Sequence, residues 1–358
     1  METLVDLLTR ASRLYPERKA MVMRQGIRTI KYNYRELEGR ARAYANLLGE
    51  RGVGPGDRVV IWAQNQPDWP AAMFGTFIAG AVVVPLDVRS SRDFVERVIS
   101  RTEPSLAFAG RPQAAVLREL EVPALEFESL RLPPATSVAP ATSVARAPLS
   151  SGSLAEIIFT SGTTGDPKGV MLSHGNILAN VGAALEVLDL PADTRMLSLL
   201  PLSHMFEQIG GCFAAVSVGA AVCYPTSRQP AALSRVMQEW KPTFIMGVPQ
   251  AWTLFMNSIE REATAQGRLG LVKRMRRLAA PLPTRARRAM FRPVLSRFGG
   301  KLDFVASGGA AIDPEVQLKW EAMGVAVVEG YGATECSPIV TINPRHDRRI
   351  GSVGKPLP

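Results

Sequence analysis

The chain alternates short apolar runs with longer amphipathic segments, and this alternation restricts its possible folds more than any other feature. In the first third, residues 58–63 and 81–86 are apolar runs of strand length, while residues 34–51, 69–79 and 92–100 have helical spacing. Parallel strands need a connection of about a dozen residues or more, usually a helix. The pattern therefore predicts an α/β fold with a mainly parallel sheet.

The alternation is interrupted once and then resumes. Residues 132–150 are rich in proline, alanine and serine, and Ala-Thr-Ser-Val-Ala occurs twice within them, which is typical of a loop that carries little packing information. Apolar runs of strand length follow at 154–159, 169–172, 196–200, 220–224, 243–248, 302–306 and 325–328. We therefore predict two layered α/β lobes, residues 1–150 and residues 151–358.

The composition excludes several classes of protein. The apolar fraction of 46% and the charged fraction of 21% are typical of a soluble globular protein, and no apolar run reaches the roughly 18–20 residues that cross a bilayer. Residues 1–6 lack the basic start and apolar stretch of a signal peptide. The three cysteines have no metal-ligand spacing, so neither a disulfide scaffold nor a zinc site is indicated. We expect a cytoplasmic protein.

The net charge of +10 comes largely from one region, residues 268–301. Its cations are Arg268, Lys273, Arg274, Arg276, Arg277, Arg285, Arg287, Arg288, Arg292, Arg297 and Lys301. A solvated helical face is one interpretation. Peripheral contact with an anionic membrane is another, because apolar residues interleave with the cations. Nucleic acid is not expected as a partner, because no nucleic-acid-binding motif accompanies the charge.

Residues 160–170, Thr-Ser-Gly-Thr-Thr-Gly-Asp-Pro-Lys-Gly-Val, form the clearest candidate for a chemical site. Glycines let the backbone come close to a ligand, and the N–H groups of such a loop form an anion-binding nest. Lys168 adds a positive charge suited to phosphate oxygens. The Walker A motif ends in Gly-Lys-Ser/Thr and leads into a helix, whereas a predicted strand follows Lys168. The loop predicts phosphate binding of a different kind.

Four ordered motifs make the chain resemble the adenylate-forming enzymes, which include acyl-CoA synthetases, firefly luciferase and peptide-synthetase adenylation domains. These motifs are the loop 160–169, Pro-Leu-Ser-His-Met-Phe-Glu-Gln at 201–208, Gly-Tyr-Gly-Ala-Thr-Glu at 330–335 and the ending 351–358. The second motif has the form common among long-chain fatty acid-CoA ligases. The resemblance covers essentially the whole chain and implies the two-lobed N-terminal domain of that family.

The resemblance also implies the residues that bind ATP and magnesium. The phosphates would be held by Thr160, Ser161, Gly162, Thr163, Thr164 and Lys168, and the adenosine and α-phosphate by Ala310, Glu329, Gly330, Tyr331 and Thr334. Tyr331 would stack on adenine, although an ordinary packed tyrosine is the alternative from the residues alone. Glu335 would ligate Mg²⁺, which prefers carboxylate and phosphate oxygens. Lys168, Thr334 and Glu335 are thus the implied catalytic residues.

The acyl group is assigned by the same resemblance to His204, Trp252, Gly308 and Gly309. His204 would lie beside the carboxylate and position it, with a satisfied polar histidine as the alternative. Trp252 would gate an acyl tunnel, with ordinary core packing as the alternative. Gly210 and Gly211 would leave volume beside this pocket. A medium- to long-chain apolar acid is favoured over acetate or an amino acid.

The reaction implied is activation of a fatty acid by ATP to acyl-AMP and pyrophosphate, followed by thioester formation with CoA. An acyl-AMP ligase that loads a carrier protein and a non-catalytic nucleotide or acyl-AMP sensor remain alternatives. The small C-terminal domain of the family, with its active-site lysine, has no counterpart in these 358 residues. We therefore expect this chain to be an N-terminal portion that does not complete thioester synthesis by itself. The sequence leaves the oligomeric state open.

Overall fold

A computed structural model describes residues 1–25, 28–135, 149–161 and 166–358. Its strands are Lys19–Gln25 (β1), Arg28–Asn33 (β2), Arg58–Trp62 (β3), Val82–Pro85 (β4), Leu106–Ala109 (β5), Ala124–Glu126 (β6), Leu154–Ser161 (β7), Pro167–Ser173 (β8), Arg195–Leu197 (β9), Ala221–Tyr224 (β10), Phe244–Gly247 (β11), Phe304–Ser307 (β12), Ala326–Gly332 (β13), Ile339–Ile342 (β14) and Lys355–Pro356 (β15).

The α-helices are Leu4–Leu14 (α1), Tyr34–Glu50 (α2), Asp68–Ile78 (α3), Arg92–Thr102 (α4), Arg111–Glu119 (α5), His174–Leu188 (α6), Met205–Gln208 (α7), Ala215–Val218 (α8), Pro230–Trp240 (α9), Pro249–Ala265 (α10), Leu269–Ala279 (α11), Thr284–Met290 (α12), Arg292–Leu295 (α13) and Pro314–Ala322 (α14). A π-helix, Ile209–Ala214, joins α7 to α8, and short 3₁₀ turns occupy Ser296–Phe298 and Thr334–Cys336. No helix in the described ranges has the length and apolar character needed to cross a membrane.

The chain divides into two compact units, one of residues 1–182 with 201–224 and one of residues 183–200 with 225–358. This division differs from the predicted boundary at residue 150. Strands β7 and β8 lie beyond that boundary, yet they extend the sheet of the first unit in the order β6-β5-β3-β4-β7-β8. The reason is pairing: β7 lies parallel to β4, with Val83 opposite Glu156, so the chain returns to the same sheet after residue 150.

The sheet of the first unit is buried on both faces. Every residue of β4 and β5 is buried, which explains why these strands are continuous apolar runs rather than alternating ones. On one face Val60 and Val84 pack with Val95 and Val98 of α4 and Leu117 of α5. The first unit also contains three further strands, in which β1 pairs parallel with β10 and antiparallel with β2.

In the second unit, the strands follow the order β9-β11-β12-β13-β14-β15. The first four are parallel, and the last two are antiparallel additions. Gly247 and Ser307 lie side by side at the carboxyl ends of β11 and β12, and Glu329 lies beside Ser307 where the parallel pairing of β12 with β13 ends. Ligands of open α/β sheets bind outside the carboxyl ends of the strands, so this edge is where a site is expected. The predicted fold class, α/β with mainly parallel sheets, is confirmed.

Candidate functional site

The predicted phosphate loop connects the antiparallel strands β7 and β8 of the first unit. Thr160 lies opposite Lys168 in the register. Thr160 is half-buried and Lys168 is exposed, so the lysine ammonium is accessible to an anion. Of the other residues implied in phosphate binding, Gly162, Thr163 and Thr164 lie outside the described residues, as does the side chain of Ser161.

Arg101, in the last turn of α4, contacts this hairpin at its loop end, where β8 begins. Its guanidinium donates to the backbone carbonyl of Pro167, and its Nη2 lies 3.3 Å from Oδ2 of Asp166. The role of Arg101 could not be predicted from the sequence, because the contact joins positions 66 apart in the chain. The only available signal was a cation in the last turn of a helix. The carboxyl-terminal side of the phosphate loop is therefore attached to a helix of the same unit.

His204 occupies the N-cap of α7 in the first unit, and its ring contacts an aspartate that sequence analysis did not identify. Its Nε2 lies 3.0 Å from Oδ2 of Asp87, and the His204 side chain is 56% exposed. Burial alone would raise the pKa of Asp87, but hydrogen bonds from His204 and Arg89 outweigh burial and hold that pKa well below its usual range. The carboxylate beside His204 is therefore ionised at neutral pH. The sequence signal was an aspartate two residues after a buried strand.

Behind His204 the motif 201–208 enters the core of the first unit. Leu202 donates its N–H to Oδ1 of Asn65 over 2.8 Å. Glu156 of β7 is completely buried, and burial raises its pKa to about 8 against the opposing effect of the neighbouring Gln208 side chain. A Cβ at Gly211 would lie 2.4 Å from Oε1 of Glu207. The volume beside Gly211 that was predicted for the acyl group is thus occupied by a buried glutamate.

In the second unit, the residues implied to meet the adenine and the acyl group follow the ends of parallel strands. Gly308 is buried and donates its N–H to the carbonyl of Gly247 over 3.3 Å. Gly309 and Ala310 are exposed. Gly309 has φ of +81°, a conformation that favours glycine. The segment therefore presents open backbone at the strand ends, as a ligand-binding loop requires.

Glu329, within β13 at the last residue that pairs with β12, supports this loop from inside. Its side chain is buried, and its Oε1 accepts a hydrogen bond from the N–H of Ile312 over 3.1 Å. Burial raises the pKa of Glu329, while the Ile312 N–H opposes that rise. The structure thus places this residue behind the 308–312 segment, where it orients backbone.

Tyr331 projects from β13 between two glycines, and 59% of it is exposed. A Cβ at Gly332 would lie 1.9 Å from the carbonyl oxygen of Pro338, and one at Gly330 would lie 3.0 Å from that of Thr341. Position 332 therefore requires glycine and position 330 packs tightly against Thr341, while the Tyr331 ring itself is accessible. The placement fits stacking on a flat ligand.

Thr334 and Glu335 follow in a 3₁₀ turn of the second unit. Thr334 is half-buried, and Glu335 is exposed. No group of three potential metal-binding side chains occurs within the described ranges. Mg²⁺ in nucleotide sites is commonly held by one or two carboxylates together with substrate phosphates. A single accessible carboxylate at Glu335 fits a magnesium ion that arrives with ATP.

Trp252 lies in the core of the second unit. Its ring is completely buried, it meets Trp320 edge-on with ring centroids 6.3 Å apart, and a Cβ at Gly247 would lie 2.7 Å from its ring. Its backbone carbonyl accepts a hydrogen bond from Nε1 of Trp320. In this conformation the ring is packed in the core, the alternative noted for it, and its role as a gate stays a prediction.

This architecture and these motifs define a class. The chain belongs to the family of AMP-binding enzymes, whose sequence profile matches residues 8–358. It is similar to the long-chain-fatty-acid–CoA ligase FadD15 of Mycobacterium bovis, with 32% identity over 90% of this chain and 59% of the relative. It is also similar to the putative acyl-CoA synthetase YngI of Bacillus subtilis, with 26% identity over 99% of this chain and 66% of the relative.

Solved structures bear out the fold. The crystal structure of the N-terminal domain of FACL13 from Mycobacterium tuberculosis superposes on 100% of this chain and 83% of that domain, with a TM-score of 0.79 at 19% identity. The predicted fold, that of the N-terminal domain of adenylate-forming enzymes, is therefore confirmed. The chain spans 59% and 66% of the two curated relatives.

Proposed function

We propose that this chain binds ATP and a medium- to long-chain fatty acid and takes part in formation of the acyl-AMP. The observation that carries the proposal is the exposed Tyr331 ring, which lies between two closely packed glycines near the end of β13 in the second unit. The neighbouring strand β12 ends in the open 308–310 backbone. An accessible aromatic face beside open N–H groups suits a purine attached to phosphates.

The remaining roles follow from the chemistry of the accessible side chains. Lys168 binds ATP phosphate oxygens as a point charge, and Thr334 donates its hydroxyl to the α-phosphate. Glu335 holds Mg²⁺, which when bound neutralises charge on the pyrophosphate leaving group. His204 positions the carboxylate of the acid. Transfer of the acyl group to CoA is the second half of the proposed reaction in the whole enzyme.

The fatty acid is proposed over other acids because relatives such as FadD15 are named as long-chain fatty acid ligases. A carrier protein in place of CoA is the alternative acceptor. A sensor that binds the nucleotide without catalysis is the alternative class. The presence of Lys168, Thr334 and Glu335 favours catalysis over a sensor, because a site that has lost catalysis has no need to keep all three residue types.

Replacing Tyr331 by alanine tests the nucleotide site. We expect Tyr331→Ala to weaken binding of dodecanoyl-sulfamoyl adenosine about tenfold, because loss of aromatic stacking costs roughly 1–2 kcal/mol. Tyr331→Phe keeps the ring and should bind as the wild type does. Titration calorimetry on the 358-residue chain measures both. Equal affinities of the alanine variant and the wild type would contradict the placement of adenine at Tyr331.

We also propose that α11 of the second unit contacts anionic membrane surfaces. Residues 263–302 contain no acidic residue. Four arginines of this region are engaged within the unit: Arg276 with Glu260, Arg297 with Glu262, and Arg287 and Arg288 with backbone carbonyls. The exposed cations are Arg268, Lys273, Arg274, Arg277, Arg285, Arg292 and Lys301. Some cations of this region therefore stabilise the unit through internal contacts, and the exposed ones are accessible to a partner.

Two leucines accompany the exposed cations on α11. Leu271 is 56% exposed and Leu278 is 57% exposed, and their spacing of seven residues places them on one side of the helix. Exposed leucines among cations are the pattern of a helix that lies in a lipid interface. Such a surface would bring the enzyme to the bilayer, where fatty acids partition.

Charge reversal on α11 tests this contact. We expect Arg274→Glu with Arg277→Glu to reduce binding to phosphatidylglycerol vesicles about 30-fold, because each cation near an anionic surface contributes about 1 kcal/mol. Vesicle sedimentation measures binding, and Arg235→Glu on α9 of the same unit is the control. Equal binding of the wild type to phosphatidylglycerol and phosphatidylcholine vesicles would instead favour a solvated helical face.

A further inference from the structure

Asp87, in the first unit, is held in one orientation by several independent bonds. Nε1 of Trp62 donates to the Asp87 backbone carbonyl over 2.9 Å. The carboxylate accepts from the backbone N–H, Nε and Nη2 of Arg89 over 2.9, 3.1 and 2.7 Å. Only 13% of the side chain is exposed. Bonds within the protein therefore fix the orientation of the Asp87 carboxylate without any ligand.

One oxygen of this carboxylate meets the ring of His204. Oδ2 of Asp87 lies 3.0 Å from Nε2 of His204. An ionised carboxylate only accepts hydrogen bonds, so the hydrogen between these atoms belongs to Nε2. Within the described parts of the chain, no hydrogen bond involves Nδ1 of His204, and the side chain is 56% exposed. The second ring nitrogen is the one that an incoming molecule can reach.

We propose that Asp87 is a positioning residue that fixes His204 as the Nε2–H tautomer and presents Nδ1 to the carboxylate of the acid substrate. The substrate part of this inference rests on the proposed function, whereas the tautomer part does not. A substrate carboxylate also only accepts hydrogen bonds. Binding at Nδ1 therefore requires the ring to take up a second proton from water, and the ring then donates to Asp87 through Nε2 and to the substrate through Nδ1.

In this arrangement Arg89 orients Asp87, Asp87 orients the His204 ring, and His204 alone contacts the substrate. Neither Arg89 nor Asp87 needs to touch the substrate, because the ring transmits the orientation. Without the Asp87 carboxylate, the His204 ring is free to rotate and to exchange tautomers. The structure thus predicts that a residue 117 positions away in sequence determines how His204 meets the acid.

Nitrogen-15 spectroscopy of the histidine rings tests the tautomer directly. The chain has three histidines, so ring-labelled samples can be assigned with His174→Gln, His204→Gln and His346→Gln variants. At pH 8 we expect a protonated-type shift at Nε2 and an unprotonated-type shift at Nδ1 of His204. Asp87→Asn should give averaged shifts at both nitrogens, while Asp93→Asn, on the surface of α4, should leave them unchanged. An Nδ1–H tautomer in the wild type would overturn the inference, whichever variants fold.

Acid binding tests the consequence for the substrate. We expect Asp87→Asn to weaken binding of dodecanoate about tenfold, as loss of one charge-assisted hydrogen bond requires, while MgATP binding stays unchanged. If Asp87→Asn shows averaged ring shifts but binds dodecanoate as the wild type does, His204 Nδ1 does not bind the carboxylate of the acid. Failure of the wild type to bind dodecanoate at all would overturn the proposed function, and the ring shifts would still decide the tautomer.

Discussion

Glu156→Gln is expected to make the protein markedly more stable than the wild type at pH 8 but not at pH 5. In the folded state burial raises the pKa of Glu156 to about 8, whereas the free side chain has a value of 4.5. Between these values the folded protein retains a proton that the unfolded chain releases. Stability therefore falls as pH rises from about 4.5 to 8. At pH 8 the wild type should have lost on the order of 4 kcal/mol through this residue, and glutamine, which does not ionise, loses none.

Urea unfolding at pH 5, 6, 7 and 8 measures this difference. The groups that interact with Glu156 are Gln208 and Cys212, and both are themselves buried. No cation lies among them to stabilise an ionised Glu156. Glu50→Gln, at the exposed end of α2 in the same unit, is the control and should follow the wild type at every pH. Parallel stability curves for Glu156→Gln and the wild type would contradict the prediction.

Lys168→Met is expected to weaken MgATP binding by about 10- to 100-fold without lowering stability. The ammonium is exposed at the end of the β7–β8 hairpin, so its removal disturbs no packing. Hydrogen bonds to charged groups contribute roughly 1.5–3 kcal/mol. Calorimetric titration with MgATP measures the affinity, and the thermal unfolding midpoint checks the fold.

A matched lysine separates specific binding from general charge. Lys31→Met on β2 removes an exposed lysine from the same unit and should bind MgATP as the wild type does. Lys168→Arg keeps the charge and should retain most of the affinity. If Lys168→Met and Lys31→Met bind MgATP equally, Lys168 does not contact the phosphates.

The local fold could be predicted closely because its signals are local. The helix predicted at 34–51 occurs as Tyr34–Glu50, and the run predicted at 58–63 occurs as Arg58–Trp62. Helix α1 was missed although its signal was present, since Thr3 and Asp6 form a capping box. The compact units do not divide at the predicted position 150, because a proline-rich loop indicates a connection and not which strands pair afterwards.

Residue type alone could suggest a role only for side chains whose chemistry suits a single task, and the roles of the site residues stay predictions. Tyr331 and Lys168 are accessible, as their predicted roles require. Trp252 was ambiguous because a large apolar ring fits a core and a tunnel equally well. Asp87 and Arg101 were missed because their contacts join distant positions, and a single sequence has no signal for tertiary pairing.

The π-helix Ile209–Ala214 connects two segments that are anchored independently. On its amino-terminal side, His204 is bonded to Asp87, and on its carboxyl-terminal side the hydroxyl of Tyr34 lies 2.6 Å from the carbonyl oxygen of Ala220 and 3.1 Å from that of Ala215. A π-turn accommodates one residue more than an α-turn of the same span. Evolution could therefore add or remove a residue here to rotate the His204 end, about 100° per residue, while the Ala215 end keeps its place. The orientation of His204 and the position of Ala215 can therefore change independently of each other.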